Sequence, residues 1–393
     1  MTIWQPETCE QVTEIISSAL AQQRPFRICG HDTKSGFGAP VNTADTLSLK
    51  ALSGVIDYQP EELVLVVKAG TPLADIEQLL AEQNQMLAFE PPHLDEFYSS
   101  EGTGTIGGVI AANLSGPRRV SAGAARDFLL GFTAVSGRGD EFKSGSRVMK
   151  NVTGYDLSKL MCGSFGTLAV MTDITLKVLP RPETSSSLSV QCDTLTSAQA
   201  VLAAAFCTDT EPSGGAIAKT ETGWRAVVRL EGVDVSVRDR MKSLKAALSS
   251  YGEQTTLDLL SSEEFWQGWR DVCMIPAEAE QVYKLSVAPS DAPVLLDLLL
   301  KSHELHAGLD WAGGLVWLGG QGEGLAEAVR DAVHACGGGH ATLIRGSEQQ
   351  RSELAVFQPQ AAALAALSNR IKTAFDPQNI LNPGKMGEMR GGA

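Results

Sequence analysis

The stretch Gly102-Thr103-Gly104-Thr105-Ile106-Gly107 matches the G-x-G-x-x-G pattern of dinucleotide-binding folds, and Asp127 follows about 20 residues later. That pattern binds a dinucleotide only where an apolar strand leads into the glycines and a helix starts behind them. The residues before it, 97–101, are mostly polar and do not resemble such a strand. The sequence therefore argues against a Rossmann site for nicotinamide and favours a different nucleotide-binding role for these glycines.

A second glycine-rich segment, 29–38, follows a short predicted strand at 26–29. Glycine lets backbone N–H groups approach phosphate oxygens, so two such segments can surround one diphosphate. We therefore predict a diphosphate site made by loop 1 (29–38) and loop 2 (102–113), with a tight turn as the alternative for either loop alone. The predicted binding residues are Cys29, Gly30, His31, Asp32, Thr33, Lys34, Gly102, Thr103, Gly104, Thr105, Gly107, Gly108, Ala111 and Asn113.

Composition narrows the classes of protein that remain. The chain has 393 residues, more than the roughly 250–300 at which single cores stop growing, so two domains are expected. A formal net charge of −14 argues against a nucleic-acid partner, because phosphate binding needs clustered Lys and Arg. The seven cysteines lack the spacing of iron–sulfur or zinc sites. With no secretion signal, a cytoplasmic location is expected.

Hydrophobic periodicity predicts the elements that surround the loops. The predicted elements are helices over 7–24, 73–84 and 357–375, a buried strand over 63–68 and a hairpin over 129–145. The first domain is predicted to end at Pro182, with 183–187 as a linker. Beyond it, strands alternate with helices as in an α+β sandwich. The longest apolar run, 294–300, falls far short of the roughly 20 residues needed to cross a bilayer, so any membrane association would come through a partner.

The most specific segment is 150–172, which contains Gly154-Tyr155-Asp156-Leu157-Ser158-Lys159-Leu160 and then Gly163-Ser164-Phe165-Gly166-Thr167-Leu168. It resembles the FAD-binding domain named after p-cresol methylhydroxylase, which vanillyl-alcohol oxidase relatives share, apart from Ala169 where that family often has glycine. Residues 107–113, 123–127 and the closing 375–385 are also similar to family motifs. Together with 338–343, the pattern is similar to the E-subunit family of bacterial glycolate oxidases.

This resemblance implies an α+β protein with FAD as its cofactor. The implied layout is an FAD-binding domain of the p-cresol methylhydroxylase type over 1–182, an α+β cap domain over 183–356, and a segment over 357–393 that returns to the first domain. The further FAD-binding residues that it implies are Arg126, Asp127, Gly154, Tyr155, Asp156, Lys159, Gly163, Ser164, Gly166, Thr167 and Val170.

The implied function is that of an FAD-binding subunit in a complex that oxidises glycolate to glyoxylate. Its partners would be a homologous flavin subunit and an iron–sulfur subunit, with peripheral attachment to the inner membrane through them. Two alternatives stay open: a stand-alone FAD-dependent oxidase or dehydrogenase of another 2-hydroxy acid or sugar, and a scaffold without flavin. Residues 183–356 offer no convincing substrate-binding set that would favour the stand-alone enzyme.

Three residues have ambiguous roles. His31 occupies a turn similar to one that binds flavin covalently in some relatives, but the resemblance favours noncovalent FAD, with His31 in a hydrogen-bonding role. His340 is the candidate catalytic group of the second domain, with an ordinary turn histidine as the alternative. Arg118, together with its neighbour Arg119, is a candidate anchor for a carboxylate or for the flavin, although solvated arginines fit equally well. No metal site is predicted, since His303 and His306, which lie three residues apart on a predicted helix, lack a supporting carboxylate pattern.

Overall fold

A computed structural model describes residues 2–100, 102–145 and 155–387. The chain divides into two units, which are described separately. The first unit comprises Met1–Leu114, Ala124–Pro180 and Arg351–Ala393, and the second comprises Ser115–Gly123 and Arg181–Gln350.

The strands of the described residues are β1 (Thr2–Trp4), β2 (Phe26–Cys29), β3 (Asp45–Ser48), β4 (Val55–Gln59), β5 (Val64–Lys68), β6 (Gln85–Met86), β7 (Leu129–Ser136), β8 (Glu141–Gly145), β9 (Ala169–Lys177), β10 (Leu179–Pro180), β11 (Thr184–Cys192), β12 (Gly214–Thr220), β13 (Gly223–Gly232), β14 (Gln254–Leu257), β15 (Gln281–Ser286), β16 (Leu305–Asp310), β17 (Leu315–Gly320) and β18 (His340–Arg345).

The helices of the same residues are α1 (Cys9–Gln22), α2 (Leu73–Glu82), α3 (Asp95–Tyr98), α4 (Ile106–Ala111), α5 (Arg119–Ala122), α6 (Ala125–Phe128), α7 (Leu157–Met161), α8 (Leu195–Phe206), α9 (Asp234–Ala247), α10 (Leu259–Arg270), α11 (Ala292–Leu300), α12 (Leu325–Ala335), α13 (Glu348–Glu353) and α14 (Ala362–Phe375). Short 3-10 turns lie at Leu49–Ala51, Pro60–Glu62 and Trp311–Gly313. In this part of the chain, no helix combines the length and the apolar character that crossing a membrane requires.

The first unit is built on an antiparallel sheet with the order β4-β5-β9-β7-β8 and a parallel sheet with the order β1-β3-β2. The strand β5 is a β-branched run that is buried along most of its length, as a central strand requires. The predicted strand over 63–68 and the hairpin of β7 and β8 are both confirmed, with Val135 opposite Glu141 beside the turn.

Helix α1 covers the core of the first unit. The Thr8 side chain accepts a hydrogen bond from the Gln11 N–H at 3.3 Å, which confirms the predicted N-cap. Val12 and Ile16 lie one turn apart on the helix and are fully buried with Leu47 of β3 and Leu381 of the C-terminal segment. Each such side chain stabilises the fold by about 1.5–3 kcal/mol relative to exposure.

The second unit contains an antiparallel sheet with the order β14-β11-β13-β12-β16-β17-β15-β18, together with helices α8 to α12. The predicted α+β class is confirmed. The prediction of a linker over 183–187 is wrong, because β11 runs through it and pairs with β13 and β14. The serine-rich sequence is accommodated by side-chain hydrogen bonds: the fully buried Ser187 hydroxyl binds Ser262 Oγ and Trp266 Nε1, each at 2.8 Å.

Three further expectations need correction. The last helix begins at Ala362 rather than near 357, because Pro359 would interrupt a helix that began there. His306 lies on strand β16 and not on a helix with His303. The segment Ser115–Gly123 belongs to the second unit, because Trp311 Nε1 donates to the Gly116 carbonyl at 3.0 Å and Ser121 Oγ donates to the Ser213 carbonyl at 3.3 Å.

Candidate functional site

A pocket of the first unit brings loops 1 and 2 together. Nine of the predicted residues line it, namely Cys29, Gly30, His31, Asp32, Thr33, Lys34, Thr105, Gly108 and Ala111. Three further lining residues, Ser35, Phe37 and Ala112, belong to the predicted loops but were not predicted individually. The sequence interpretation missed the other six, which are Arg27, Ile28, Val41, Phe165, Asn382 and Lys385.

Loop 1 leaves strand β2 and packs directly against loop 2. A Cβ on Gly30 would lie 2.3 Å from Thr105 Oγ1, so only glycine permits this approach. The Nδ1 atom of His31 lies 2.8 Å from the Thr103 carbonyl, and since a carbonyl only accepts, Nδ1 carries the proton. Asp32 has a left-handed backbone with φ of 60° and binds both carboxylate oxygens to Arg27 at 2.6 and 2.7 Å.

Loop 2 turns into the short helix α4. Thr105 caps the helix by accepting a hydrogen bond from the Gly108 N–H at 3.3 Å, and the Gly107 N–H donates to the Ala69 carbonyl at 2.8 Å. In the described residues before loop 2, Asp95–Tyr98 form helix α3, and no strand enters the glycines. The absence of the Rossmann strand is thus confirmed for the part of this segment that the structure describes.

Lys34 connects the two loops. A Cβ on Gly104 would lie 2.4 Å from its ammonium nitrogen, and a Cβ on Gly108 would lie 3.1 Å from its Cε. Among the described residues, Lys34 Nζ donates one hydrogen bond, to Thr33 Oγ1 at 3.2 Å, although an ammonium has three donors. Burial lowers the pKa of Lys34 to about 8, and the nearby carboxylate of Asp95 acts in the opposite sense. An anion bound in the pocket could accept hydrogen bonds from the two unused donors of Lys34 and would also balance its positive charge.

Other predicted residues support the loops from outside the pocket. The predicted Gly163 and the pocket residue Phe165 donate backbone hydrogen bonds to the Ile110 and Ala111 carbonyls at 3.1 and 2.9 Å, which tie the segment after α7 to helix α4. Asn113 has a left-handed backbone, and its Oδ1 accepts from the Cys162 thiol at 3.4 Å.

The remaining predicted FAD-binding residues have local structural roles. Asp156 caps helix α7 by accepting from the Lys159 N–H at 3.3 Å, and its carboxylate lies 3.7 Å from Lys159 Nζ. Asp127 caps α6 by accepting from the Ala124 N–H at 2.9 Å. Tyr155 is 91% exposed, Val170 is buried in the core, and the Arg126 side chain lies 3.9 Å from that of Asp127. Thr167 Oγ1 donates a hydrogen bond to the Ser164 carbonyl at 2.7 Å. Gly166 faces Asn382, and the backbone φ of Gly102 is 79°. The predicted residue Gly154 lies outside the described residues.

The C-terminal segment completes the pocket. Asn382 Oδ1 accepts from the Ile28 N–H at 2.7 Å, and its Nδ2 donates to the Phe165 carbonyl at 2.8 Å. The rings of Phe37 and Phe165 meet edge to face at 4.8 Å. Lys385 Nζ donates to the Ser35 carbonyl at 3.3 Å. The closing motif at 375–385 was recognised from sequence, but nothing local in it indicates which loop its side chains contact.

The two predicted catalytic residues lie in the second unit. Arg118 forks onto Glu231, with Nε–Oε2 and Nη2–Oε1 distances of 3.0 and 2.5 Å. Burial opposes ionisation of Glu231, but the charges of Arg229 and Arg118 outweigh it and lower its pKa to about 2. The fork that was predicted to anchor a carboxylate ligand therefore engages a carboxylate of the protein. His340 is exposed at the start of β18, opposite Ser286 of β15.

The predicted anchor Arg119 belongs to a cationic and aromatic cluster in the second unit, whose other members the sequence interpretation missed. The Arg119 guanidinium lies 4.2 Å from the centre of the Trp311 ring, and Lys284 Nζ lies 4.9 Å from the same centre and 5.8 Å from that of Trp317. Lys284 and Trp317 are direct cross-strand neighbours on β15 and β17. Burial and the repulsion of Arg119 lower the pKa of Lys284 to about 8, against the attraction of Asp310. A lone lysine within the apolar run 282–285 was the available sequence signal.

Comparisons with known proteins agree with this geometry. A profile described as an FAD binding domain matches residues 2–145, and one described as the C-terminal domain of FAD linked oxidases matches residues 357–386. Among solved structures, p-cresol methylhydroxylase with substrate bound has a TM-score of 0.73 at 15% identity, covering 98% of this chain and 88% of that one. The 4-ethylphenol oxidase of Gulosibacter chungangensis has a TM-score of 0.72 at 14% identity, with the same coverage. The fold and the matched domains define an FAD-linked oxidoreductase of the p-cresol methylhydroxylase type.

Curated relatives narrow this class. The glycolate oxidase subunit GlcE of Escherichia coli K12 is 36% identical over 381 residues, which are 96% of this chain and 97% of that protein. The glycolate oxidase subunit GlcD of Bacillus subtilis is 23% identical, covering 97% of this chain and 87% of that protein. The chain belongs to the GlcE family of FAD-linked oxidoreductase subunits.

Proposed function

We propose that this chain is an FAD-binding subunit of a complex that oxidises glycolate to glyoxylate. The observation that carries the proposal is the pocket of loops 1 and 2, where glycines admit the Lys34 ammonium and leave two of its donors without a partner among the described residues. The glycolate oxidase subunit GlcE, which aligns with 96% of this chain, supports the choice of reaction.

The residues of the pocket fit FAD. The phosphates are the anionic groups of FAD at neutral pH, and the pocket offers Lys34 and the backbone of two glycine-rich loops as donors. Glycine at 30, 104 and 108 keeps the loop surfaces free of side chains that would fill the same space. When bound, FAD supplies the acceptor for the electrons of the hydroxy acid, while the protein positions it and sets its electrostatic surroundings.

We further propose that FAD is bound noncovalently. A covalent bond would require a ring nitrogen of His31 to attack the flavin. The hydrogen bond from Nδ1 to the Thr103 carbonyl engages that nitrogen and restrains the ring. This arrangement supports a role for His31 in fixing loop 1 against loop 2, although Nε2 stays available as the nucleophile of the covalent alternative.

The cluster of Arg119, Lys284 and Trp311 supports substrate binding by this chain. Arg119 and Lys284 bring two cations to one aromatic ring, and this positive charge attracts a small anion. A 2-hydroxy acid carries such an anion as its carboxylate. Arg118 is less suited to this role, because Glu231 engages its guanidinium.

The proposed partners are a homologous flavin subunit and an iron–sulfur subunit, and the proposed location is cytoplasmic or peripheral at the inner membrane through them. In the described residues no group of three or more His, Cys, Asp or Glu side chains is arranged to hold a metal ion. Onward transfer of single electrons through a cluster would therefore use a partner's site.

The test is reconstitution of the complex with and without this chain. We expect glycolate-dependent reduction of a dye to require the chain, and Lys34→Met to reduce the rate together with the FAD content. Full activity in its absence would contradict a functional role. Oxidation of glycolate or another hydroxy acid by the isolated chain, at the rate of the complex, would instead favour the stand-alone enzyme.

A further inference from the structure

Lys385 brings a second ammonium into the pocket from the far end of the chain. It lines the same pocket as Lys34, Thr105 and Gly108. Its backbone is fixed on both sides: the Ala39 N–H donates to the Lys385 carbonyl at 2.9 Å, and the Lys385 N–H donates to the Asn382 carbonyl at 3.1 Å. Asn382 is itself bound to Ile28 of strand β2. The side chain therefore starts from a well-defined point beside loop 1.

Loop 1 leaves space for this side chain. A Cβ on Gly38 would lie 3.0 Å from Lys385 Cε and 3.2 Å from its Cδ, and the backbone φ of Gly38 is 87°. Glycine at this position thus serves both the left-handed turn and the passage of the lysine stem.

The ammonium of Lys385 has unused donors in positive surroundings. Among the described residues it donates one long hydrogen bond, to the Ser35 carbonyl at 3.3 Å, out of three that it can make. Burial and the charge of Arg351 lower the pKa of Lys385 to about 8, Arg27 acts in the same direction, and Asp32 opposes them. The Asp32 carboxylate is already paired with Arg27 at 2.6 Å. The pocket therefore carries excess positive charge that an anionic ligand would balance.

We propose that Lys385 is a cofactor-binding residue that donates to the diphosphate of FAD together with Lys34. The inference rests on the proposed function, because it assigns a residue to the same FAD site. It also assigns the C-terminal segment a direct part in cofactor binding. Bound FAD would then stabilise the docking of this segment on loop 1, since each contributes to the other's contacts.

The test compares FAD binding with the stability of the apoprotein. FAD is removed from the full-length wild type, Lys385→Met and Lys385→Arg, and each apoprotein is titrated with FAD by flavin fluorescence at several salt concentrations. We expect Lys385→Met to raise the dissociation constant by about tenfold or more, as the loss of one charge-assisted hydrogen bond does. The salt dependence should become shallower, Lys385→Arg should retain most of the affinity, and the unfolding temperature of the apoprotein should stay within about 2 °C.

Lys143→Met is the matched control, since Lys143 lies in the same unit with its side chain 72% exposed and outside the pocket. It should leave both the affinity and its salt dependence unchanged. If Lys385→Met binds FAD like the wild type, or loses affinity only in proportion to a less stable apoprotein, Lys385 has a structural role and the inference fails alone. If the wild-type apoprotein takes up no FAD, the proposed function fails with it.

Discussion

At the scale of single residues, the glycines of loops 1 and 2 leave space in and around the pocket, and the lysines provide positive charge and hydrogen-bond donors. Close approach to Thr105 requires glycine at position 30, whereas a Cβ on Gly104 or Gly108 would displace the flexible side chain of Lys34. The sequence pattern was sufficient to predict these glycines and Lys34, because loop glycines and a neighbouring cation are local features. Asn382 was not predictable as a pocket residue, since its partner Ile28 is 354 positions away in the chain.

Substitution of Gly104 should separate binding from folding. A Cβ there would lie 2.4 Å from Lys34 Nζ, which is the far end of a flexible side chain and can move aside. We expect Gly104→Ala to keep the unfolding temperature and to weaken FAD binding by about tenfold, measured by fluorescence titration. In Gly107→Ala the new Cβ would meet the fixed Ala69 carbonyl at 2.7 Å, so stability should fall by about 1–3 kcal/mol. Gly268→Ala, with its nearest contact at 3.8 Å, is the control; a Gly104→Ala protein with unchanged affinity would contradict the role of Lys34.

The lowered pKa of Lys34 predicts a pH dependence of cofactor affinity. Its ammonium has a pKa of about 8 in the free protein, and a bound diphosphate favours the protonated form. Below that pKa the proton is present in both states, so affinity is constant. Above it, binding must take up a proton, and affinity should fall by up to about tenfold per pH unit for one group. Lys385, also near 8, adds in the same direction. Titrations across this range should show a shallower fall in Lys34→Met; affinity that rises with pH would disprove the assignment.

Substitution of Lys284 tests whether this chain binds the carboxylate of a substrate. We expect Lys284→Met to weaken the binding of oxalate, a small carboxylate that the flavin cannot oxidise, by about tenfold in isothermal titration calorimetry. Lys219→Met, on the exposed face of strand β12, should leave oxalate binding unchanged. Equal oxalate affinity in Lys284→Met and the wild type would remove the cluster from the account and favour substrate binding by a partner subunit.

At the scale of elements, the C-terminal segment is held by one buried carboxylate. Asp376 is 1% exposed, and it accepts from the Ile380 and Leu381 N–H groups at 3.0 and 2.8 Å and from Lys372 Nζ at 2.5 Å. Lys372 also donates to the Thr167 carbonyl at 2.7 Å. This one residue therefore fixes both the end of α14 and the strand-like segment beside β2.

Removal of this carboxylate should destabilise the first unit. We expect Asp376→Ala to lower the free energy of unfolding by about 3–5 kcal/mol, because it leaves two backbone N–H donors without their acceptor and Lys372, which keeps its carbonyl partners, without its counter-charge. The control is Lys242→Ala, which breaks an exposed ion pair with Asp239 and should change stability by less than about 1 kcal/mol. Chemical denaturation of the apoproteins measures both; an Asp376→Ala protein as stable as the wild type would show that the segment does not depend on this anchor.

The elements themselves were predictable where their pattern is strong. Helix α1, strand β5 and the hairpin of β7 and β8 follow from periodicity and turn residues, and the structure confirms them. Strand β11 was missed because four consecutive hydroxyl residues, 184–187, resemble a linker when the partners of their hydroxyls are unknown. The contact between Lys284 and Trp317 was missed for a related reason, since strand register is set by pairing across the sheet.

At the scale of the whole molecule, the proposed function depends on FAD binding by the first unit, which includes the C-terminal segment. The two matched domains of the FAD-linked oxidase class, at residues 2–145 and 357–386, belong to that unit apart from Ser115–Gly123. The second unit contains the cluster of Arg119, Lys284 and Trp311, which is the candidate site for the carboxylate of a substrate. Sequence motifs were sufficient to indicate FAD, whereas the proposal of Lys284 and Trp311 as carboxylate-binding residues required the three-dimensional arrangement.

The most direct test of the central claim is the absorption spectrum of the purified chain before and after acid precipitation. The account predicts a yellow protein whose colour passes into the supernatant as FAD, because the cofactor is bound by hydrogen bonds and charge in the pocket of loops 1 and 2. Colour retained in the pellet, and lost in a His31→Ala variant, would contradict noncovalent binding. A colourless protein that takes up no FAD on reconstitution would contradict the cofactor site itself.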